Sequence, residues 1–123
     1  MPSNADHYLV ERVLTAGPAE LTAMLYDALS ANVKGAITRL EAGDAIGARP
    51  KLSKAQDILL ELRATLNHDA GELAGRLDAL YTFAWKRLLD AGLKRDVKAA
   101  REAYAVVDPL RTTWREACLL VAA

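Results

Sequence analysis

Residues 18–43, PAELTAMLYDALSANVKGAITRLEAG, decide the fold. Pro18 suits the first helical position, where its missing N–H costs nothing. Gly17 ahead of it serves as the N-cap, and Glu20 places a negative charge in the first turn, where the helix dipole favours it. Leu21, Leu25, Ala28, Leu29, Asn32, Val33, Ala36 and Leu40 then recur at spacings of three and four. They draw one largely apolar stripe along a helix from Pro18 to Ala42. Gly43 follows where a left-handed residue ends a helix.

The same punctuation repeats outward from this segment. A loop at 43–49 leads to a second helix predicted over Pro50 to Leu66, with Leu52, Ala55, Leu59, Leu62 and Leu66 as its stripe and Ile58 beside it. Asn67-His68-Asp69-Ala70-Gly71 reads as a turn. A third helix is expected from Glu72 to Ala91, with Leu73, Leu77, Leu80, Ala84 and Leu88 as its core line, Tyr81 beside that line and Gly92 closing it. The fourth starts near Arg95-Asp96, Asp96 being an N-cap or first-turn acid. Its stripe holds Ala100, Ala103, Val107, Leu110, Trp114, Ala117, Cys118 and Val121. Pro109 lies inside it and predicts a kink or a break, because proline removes one hydrogen bond and crowds the carbonyl four residues back. Helices joined by short turns run antiparallel. The fold class is therefore all-α, an up-down antiparallel four-helix bundle over residues 18–123. Residues 1–17 lack helical periodicity, yet Tyr8, Leu9, Val10, Val13 and Leu14 make them too apolar for a free tail. They are expected to lie on the bundle as a strap or cap.

Composition agrees with this reading. The chain has 123 residues, 52% of them hydrophobic, enough for one domain with a real core. Ala and Leu dominate and aromatics make up 6%, which favours helix over strand. Sixteen basic residues balance sixteen acidic ones, and the isoelectric point is near 6.7. A nucleic-acid domain shows a basic face instead. The small clusters Lys86-Arg87 and Lys94-Arg95 are offset by Asp90 and Asp96. No apolar run approaches the roughly 18 residues of a membrane span, and the polar start at residues 1–11 carries no secretory signal pattern. The lone Cys118 closes no intramolecular disulfide and suits a reducing cytoplasm. It reads as a small hydrophobe.

Catalytic constellations are missing. His7 and His68 neighbour no nucleophile in sequence. The Glu-x-x-His pairs of a di-metal carboxylate bundle do not occur, nor does a phosphate loop or a Cys-x-x-Cys motif. These residues point to no enzyme and no cofactor. What the chain has in surplus is apolar surface: Leu60, Phe83, Leu89, Val106 and Leu120 fall off the core lines, and a second apolar face on a small bundle suits another helix.

Several of these stretches resemble one family. Tyr8, Val13, Thr15-Ala16, Pro18 and Leu21, followed by Met24-Leu25-Tyr26-Asp27, are similar to the opening of the FliS flagellar export chaperones. Lys54 to Leu59 with Glu61-Leu62 and Leu66 resembles that family's second helix. Leu80-Tyr81, Phe83 and Lys86-Arg87-Leu88 resemble its third. Asp96, Leu110-Arg111 and Trp114-Arg115-Glu116-Ala117 resemble its fourth. The chain departs from the pattern at Gly17, Ala28, Gly92 and Pro109. The resemblance implies a cytoplasmic bacterial chaperone that binds the disordered C-terminal segment of flagellin, prevents its premature polymerisation and keeps it competent for type III export. Other flagellar export components are further partners it allows. The alternatives are a helical adaptor for another secreted client, or a small helical enzyme or cofactor carrier. On the chaperone reading, the second and third helices and the N-terminal strap form a groove for an amphipathic client helix. Its residues are Tyr8, Gln56, Ile58, Leu60, Tyr81 and Phe83, with Tyr26 and Asp27 nearby. The face carrying Val106 and Leu120 is the alternative location.

Overall fold

The computed structural model describes residues 18–122, and for residues 70, 121 and 122 the backbone alone. The expected N-terminal strap, Tyr8 included, lies outside the described residues. Four helices follow in order: α1 (Pro18–Glu41), α2 (Ala45–Ala64), α3 (Glu72–Lys94) and α4 (Val97–Ala122), with a short 3-10 turn (His68–Ala70) between α2 and α3. Among the described residues there is no strand. Each helix packs on two others, and the ring α1–α2–α3–α4 closes back on α1. Neighbours run antiparallel. Trp114, near the end of α4, donates its indole N–H to the Ala19 carbonyl at the start of α1 (2.9 Å), while Arg101, near the start of α4, pairs with Glu41 at the end of α1 (2.9 Å). Arg63 of α2 reaches Asp78 of α3 at 2.5 Å in the same antiparallel sense.

The core mixes large and very small side chains. Leu29, Val33, Leu59, Leu62, Leu88 and Val107 are fully buried, interleaved with Ala36, Ala48, Ala55, Ala84, Ala91, Ala99, Ala100 and Ala103. Alanines on facing helices let the axes approach while leucines fill the spaces between, which is how helical ridges and grooves interlock. Tyr26 of α1 and Tyr81 of α3 are buried together, hydroxyl against hydroxyl. Tyr26 also stacks in tilted fashion near Trp114 of α4, with ring centroids 6.1 Å apart.

Helix boundaries depart most from the sequence expectations in two places. Helix α2 begins at Ala45, not at Pro50. Asp44 is its N-cap and accepts the Gly47 N–H at 2.8 Å, a bond to the third helical residue that a Pro-first reading overlooks. Helix α3 does not end at Gly92 but runs on to Lys94, and Arg95 takes the left-handed conformation (φ 54°) usually left to glycine. Asp96 then caps α4 by accepting the Ala99 N–H at 3.2 Å. Gly43, at φ 75°, ends α1 as its sequence position predicts.

Pro109 does not break α4, which is helical on both sides of it. The reason is its orientation. Pro109 and Ala105 are both exposed, so the carbonyl that loses its partner faces water. Pro50 and Ile46 repeat this arrangement in α2. The core line of α3 is also shifted. Ala74, Tyr81, Ala84, Leu88 and Ala91 are buried, whereas Leu73 is 67% exposed and Leu80 37%. Leu21, on the expected stripe of α1, is 42% exposed. Beyond Val107 no described side chain of α4 is fully buried. That end is held to α1 by Trp114 and by Arg115, which pairs with Asp27 and with Glu20.

Candidate functional site

The outer seam between α2 and α3 is an open groove. It consists of two depressions end to end. The first, of about 220 Å³, is lined by Leu59, Leu60 and Arg63 from α2 and by Tyr81, Thr82, Trp85 and Lys86 from α3. The second, of about 310 Å³, is lined by Arg49, Leu52, Ser53 and Gln56 from α2 and by Leu88, Leu89, Gly92 and Leu93 from α3. Leu59, Tyr81, Leu52 and Leu88 are buried core residues and form the floors. Leu60, Leu89 and Leu93 stand on the rims, exposed by 48%, 38% and 74%. Between the depressions the Gln56 side-chain amide donates to the Trp85 carbonyl over a long 3.5 Å.

Helical spacing generates this surface. On each wall the lining residues recur three and four positions apart, one row outward from the core stripe. From Arg49 to Arg63 the wall of α2 is about 21 Å long at 1.5 Å per residue, room for roughly four turns of a guest helix. Gly92 leaves the far end open: a β-carbon there would sit in ordinary contact with the Leu52 side chain, at 3.6 Å. The indole N–H of Trp85 is buried and has no acceptor among the described residues.

The residues expected at the site fall into four groups. Gln56, Leu60 and Tyr81 line the groove. Ile58, exposed by only 5%, and Tyr26, by 2%, are core residues. Tyr81 belongs to the core as well: burial pushes its hydroxyl pKa upward, and the hydrogen bond to Tyr26 opposes that shift. For Tyr26 burial comes first and the Tyr81 hydroxyl adds to the upward shift. Phe83 is 43% exposed but lines neither depression. Asp27 sits away from the groove on the seam between α1 and α4. There it pairs with Arg115 and faces Arg111 at 3.8 Å. The Asp27 partner is the leading reason the Arg115 pKa is raised. Tyr8 lies outside the described residues.

Arg49, Leu93, Trp85 and Lys86 are groove residues that the sequence reading did not assign. Arg49 and Leu93 fall outside the helices when α2 is started at Pro50 and α3 ended at Gly92. Their signal is the row 49, 52, 53, 56, 60, 63 facing the row 82, 85, 86, 89, 92, 93. Cys118 is half-buried, its Sγ 3.8 Å from the Ala19 carbonyl. Among the described residues no group of His, Cys, Asp or Glu is arranged to hold a metal ion and no helix is long and apolar enough to cross a membrane.

The described residues thus form an antiparallel four-helix bundle with an apolar groove along one outer seam. The chain belongs to the family described as Flagellar protein FliS, which matches residues 1–120. It is similar to the flagellar secretion chaperone FliS of Bacillus subtilis (strain 168), at 34% identity over 110 residues, covering 89% of this chain and 82% of that protein. The Salmonella typhimurium chaperone of the same name is 33% identical over 106 residues, covering 85% of this chain and 78% of the relative. That of Escherichia coli (strain K12) is 32% identical over 109 residues, covering 87% and 80%. The family is one of chaperones of flagellum assembly and export, not of enzymes.

Proposed function

We propose that this protein is a cytoplasmic export chaperone that binds the disordered C-terminal segment of flagellin and holds it unpolymerised for type III export. The observation that supports this reading is the groove between α2 and α3 in a chain of the FliS family. A disordered client gives up conformational entropy when it folds onto a partner, so it needs a long apolar contact to offset that loss. Two depressions in line, floored by Leu59, Tyr81, Leu52 and Leu88, offer such a contact. Assembly of flagellin would be blocked because the apolar stripe it uses for self-association is occupied.

The test is a titration of the protein with a flagellin C-terminal peptide, with a peptide from the flagellin N-terminal region as control. Binding of the first alone is the expected result. Equal binding of both, or of neither, would favour a helical adaptor for another client. Within the groove, Leu60→Ser is expected to weaken binding by about tenfold, or about 1.4 kcal/mol, with little change in thermal stability because Leu60 is half exposed. Phe83→Ser, outside the groove, is expected to leave binding within about twofold.

A further inference from the structure

We infer that the groove between α2 and α3 selects a helical client segment with acidic residues on its flanks, an inference that rests on the binding role proposed above. Three charged side chains line the two depressions, Arg49, Arg63 and Lys86, and all are cationic. Arg63 is neutralised by Asp78 at 2.5 Å. Arg49 and Lys86 are exposed, and among the described residues neither has an ion-pair partner. No acid on the same two helices comes within ion-pair distance of either. Asp57 and Glu61 lie outside the lining set, and Asp90 is taken by Arg87 (3.1 Å) and Lys94 (3.8 Å). The chain as a whole is neutral, with sixteen charges of each sign, so the excess is local to this seam.

The two free cations stand on opposite walls. Arg49 belongs to α2 beside the Leu93 end, whereas Lys86 belongs to α3 at the level of Leu59 and Leu60. A guest helix laid along the seam therefore meets one cation on each flank, about two to three turns apart. Carboxylates at those positions would pair with them while the apolar face is buried between. Lysines there would face uncompensated positive charge. Charge complementarity of this kind mainly governs partner choice, and it is weakened by salt when the pairs are exposed.

The experiment uses three synthetic amphipathic peptides of about 14 residues. They share one apolar face and carry Glu, Gln or Lys at the flanking positions. Each competes with a labelled flagellin C-terminal peptide for the full chain, at about 50 and about 500 mM salt. The Glu peptide is expected to displace the label at a concentration at least about fivefold below the Lys peptide at low salt, with Gln between them and the spread collapsing at high salt. The double variant R49E/K86E is expected to invert the order while keeping the wild-type melting temperature, and R49Q/K86Q to flatten it. An unchanged order in both variants, or a Lys peptide that binds the wild type as well as the Glu peptide, overturns the inference. Leu60→Ser separates the two levels. If it weakens all three peptides while their order is flat, the groove stands and the charge selection falls. If it weakens none, the groove reading falls and takes this inference with it.

Discussion

Tyr26 and Tyr81 meet hydroxyl to hydroxyl inside the bundle, and each satisfies the other where water does not reach. Removing one hydroxyl leaves its partner buried and unpaired, which costs about 1–3 kcal/mol, whereas removing both leaves an apolar pair of nearly the same shape. Tyr26→Phe and Tyr81→Phe should each destabilise by about that amount. The double variant should be less destabilised than the sum of the two. Urea unfolding of the four proteins checks this, and strict additivity would contradict a shared bond. The pair also marks where sequence reasoning went astray. Leucine is the more hydrophobic residue, so Leu73 and Leu80 drew the core line of α3 to themselves. A tyrosine can take the inner position when another hydroxyl awaits it, and that partner sits 55 residues away on α1. Pattern within one helix cannot register such a partner. The same limit applies to Ile58, expected in the groove, and Tyr26, expected near it: their burial depends on neighbours from other helices.

Helix ends in this protein are set by aspartates more than by prolines. Asp44 and Asp96 each accept the N–H three residues on, while Pro50 and Pro109 sit within helices on their exposed sides. Existence and order of the four helices were legible because each stripe is long. Their ends were not, because a proline read as a start or a break depends on which side of the helix it faces. Two substitutions test the element-level account. Asp96→Ala should cost about 1 kcal/mol by uncapping α4. Gly75→Ala should add about 0.5–1 kcal/mol, since Gly75 lies in the interior of α3 and a β-carbon there would meet nothing within 4 Å. Chemical denaturation measures both, and a destabilised Gly75→Ala would mean that the site needs glycine for another reason.

For the molecule as a whole, acid should be the vulnerable side. The Gly47 N–H holds the Asp44 carboxyl below the ordinary aspartate value of 3.8, with Arg39 assisting. Arg111, and then Ser30, do the same for Asp108, which ties α4 to α1. A carboxyl whose pKa is lowered by folding stabilises the native state above its unfolded value, and that contribution is lost as pH falls through the lowered one. The melting temperature is therefore expected to be level from about pH 7 to about pH 5 and to drop below about pH 4. In the double variant D44N/D108N the acid limb should be shallower. An equally steep limb would assign acid sensitivity to other carboxyls. At this scale Leu60 and Leu89, surplus to the stripes, stand on the rims of the seam between α2 and α3, and the class of the fold was readable from the stripes themselves. The groove's charge was not, because it depends on which cations remain unpaired after folding.

The second half of α4 has a consequence for how the protein breathes. Past Val107 the helix has no fully buried side chain to anchor it; Leu110 and Trp114 pack on the core only in part, and the other ties to α1 are the Asp108–Ser30 bond, an indole N–H and a cluster of ion pairs. Such a segment gives up less buried surface on detaching than the first half of the helix does, so its opening costs less than global unfolding. Backbone amides of residues 110–120 should exchange with solvent deuterium well before those of 99–107. Added salt should quicken the former by screening the Arg115 pairs and leave the latter alone. Uniform protection along α4 would show the helix to open only as one piece. A bundle built this way loosens from the end where its first and last helices meet, and a protease would find its earliest cut there.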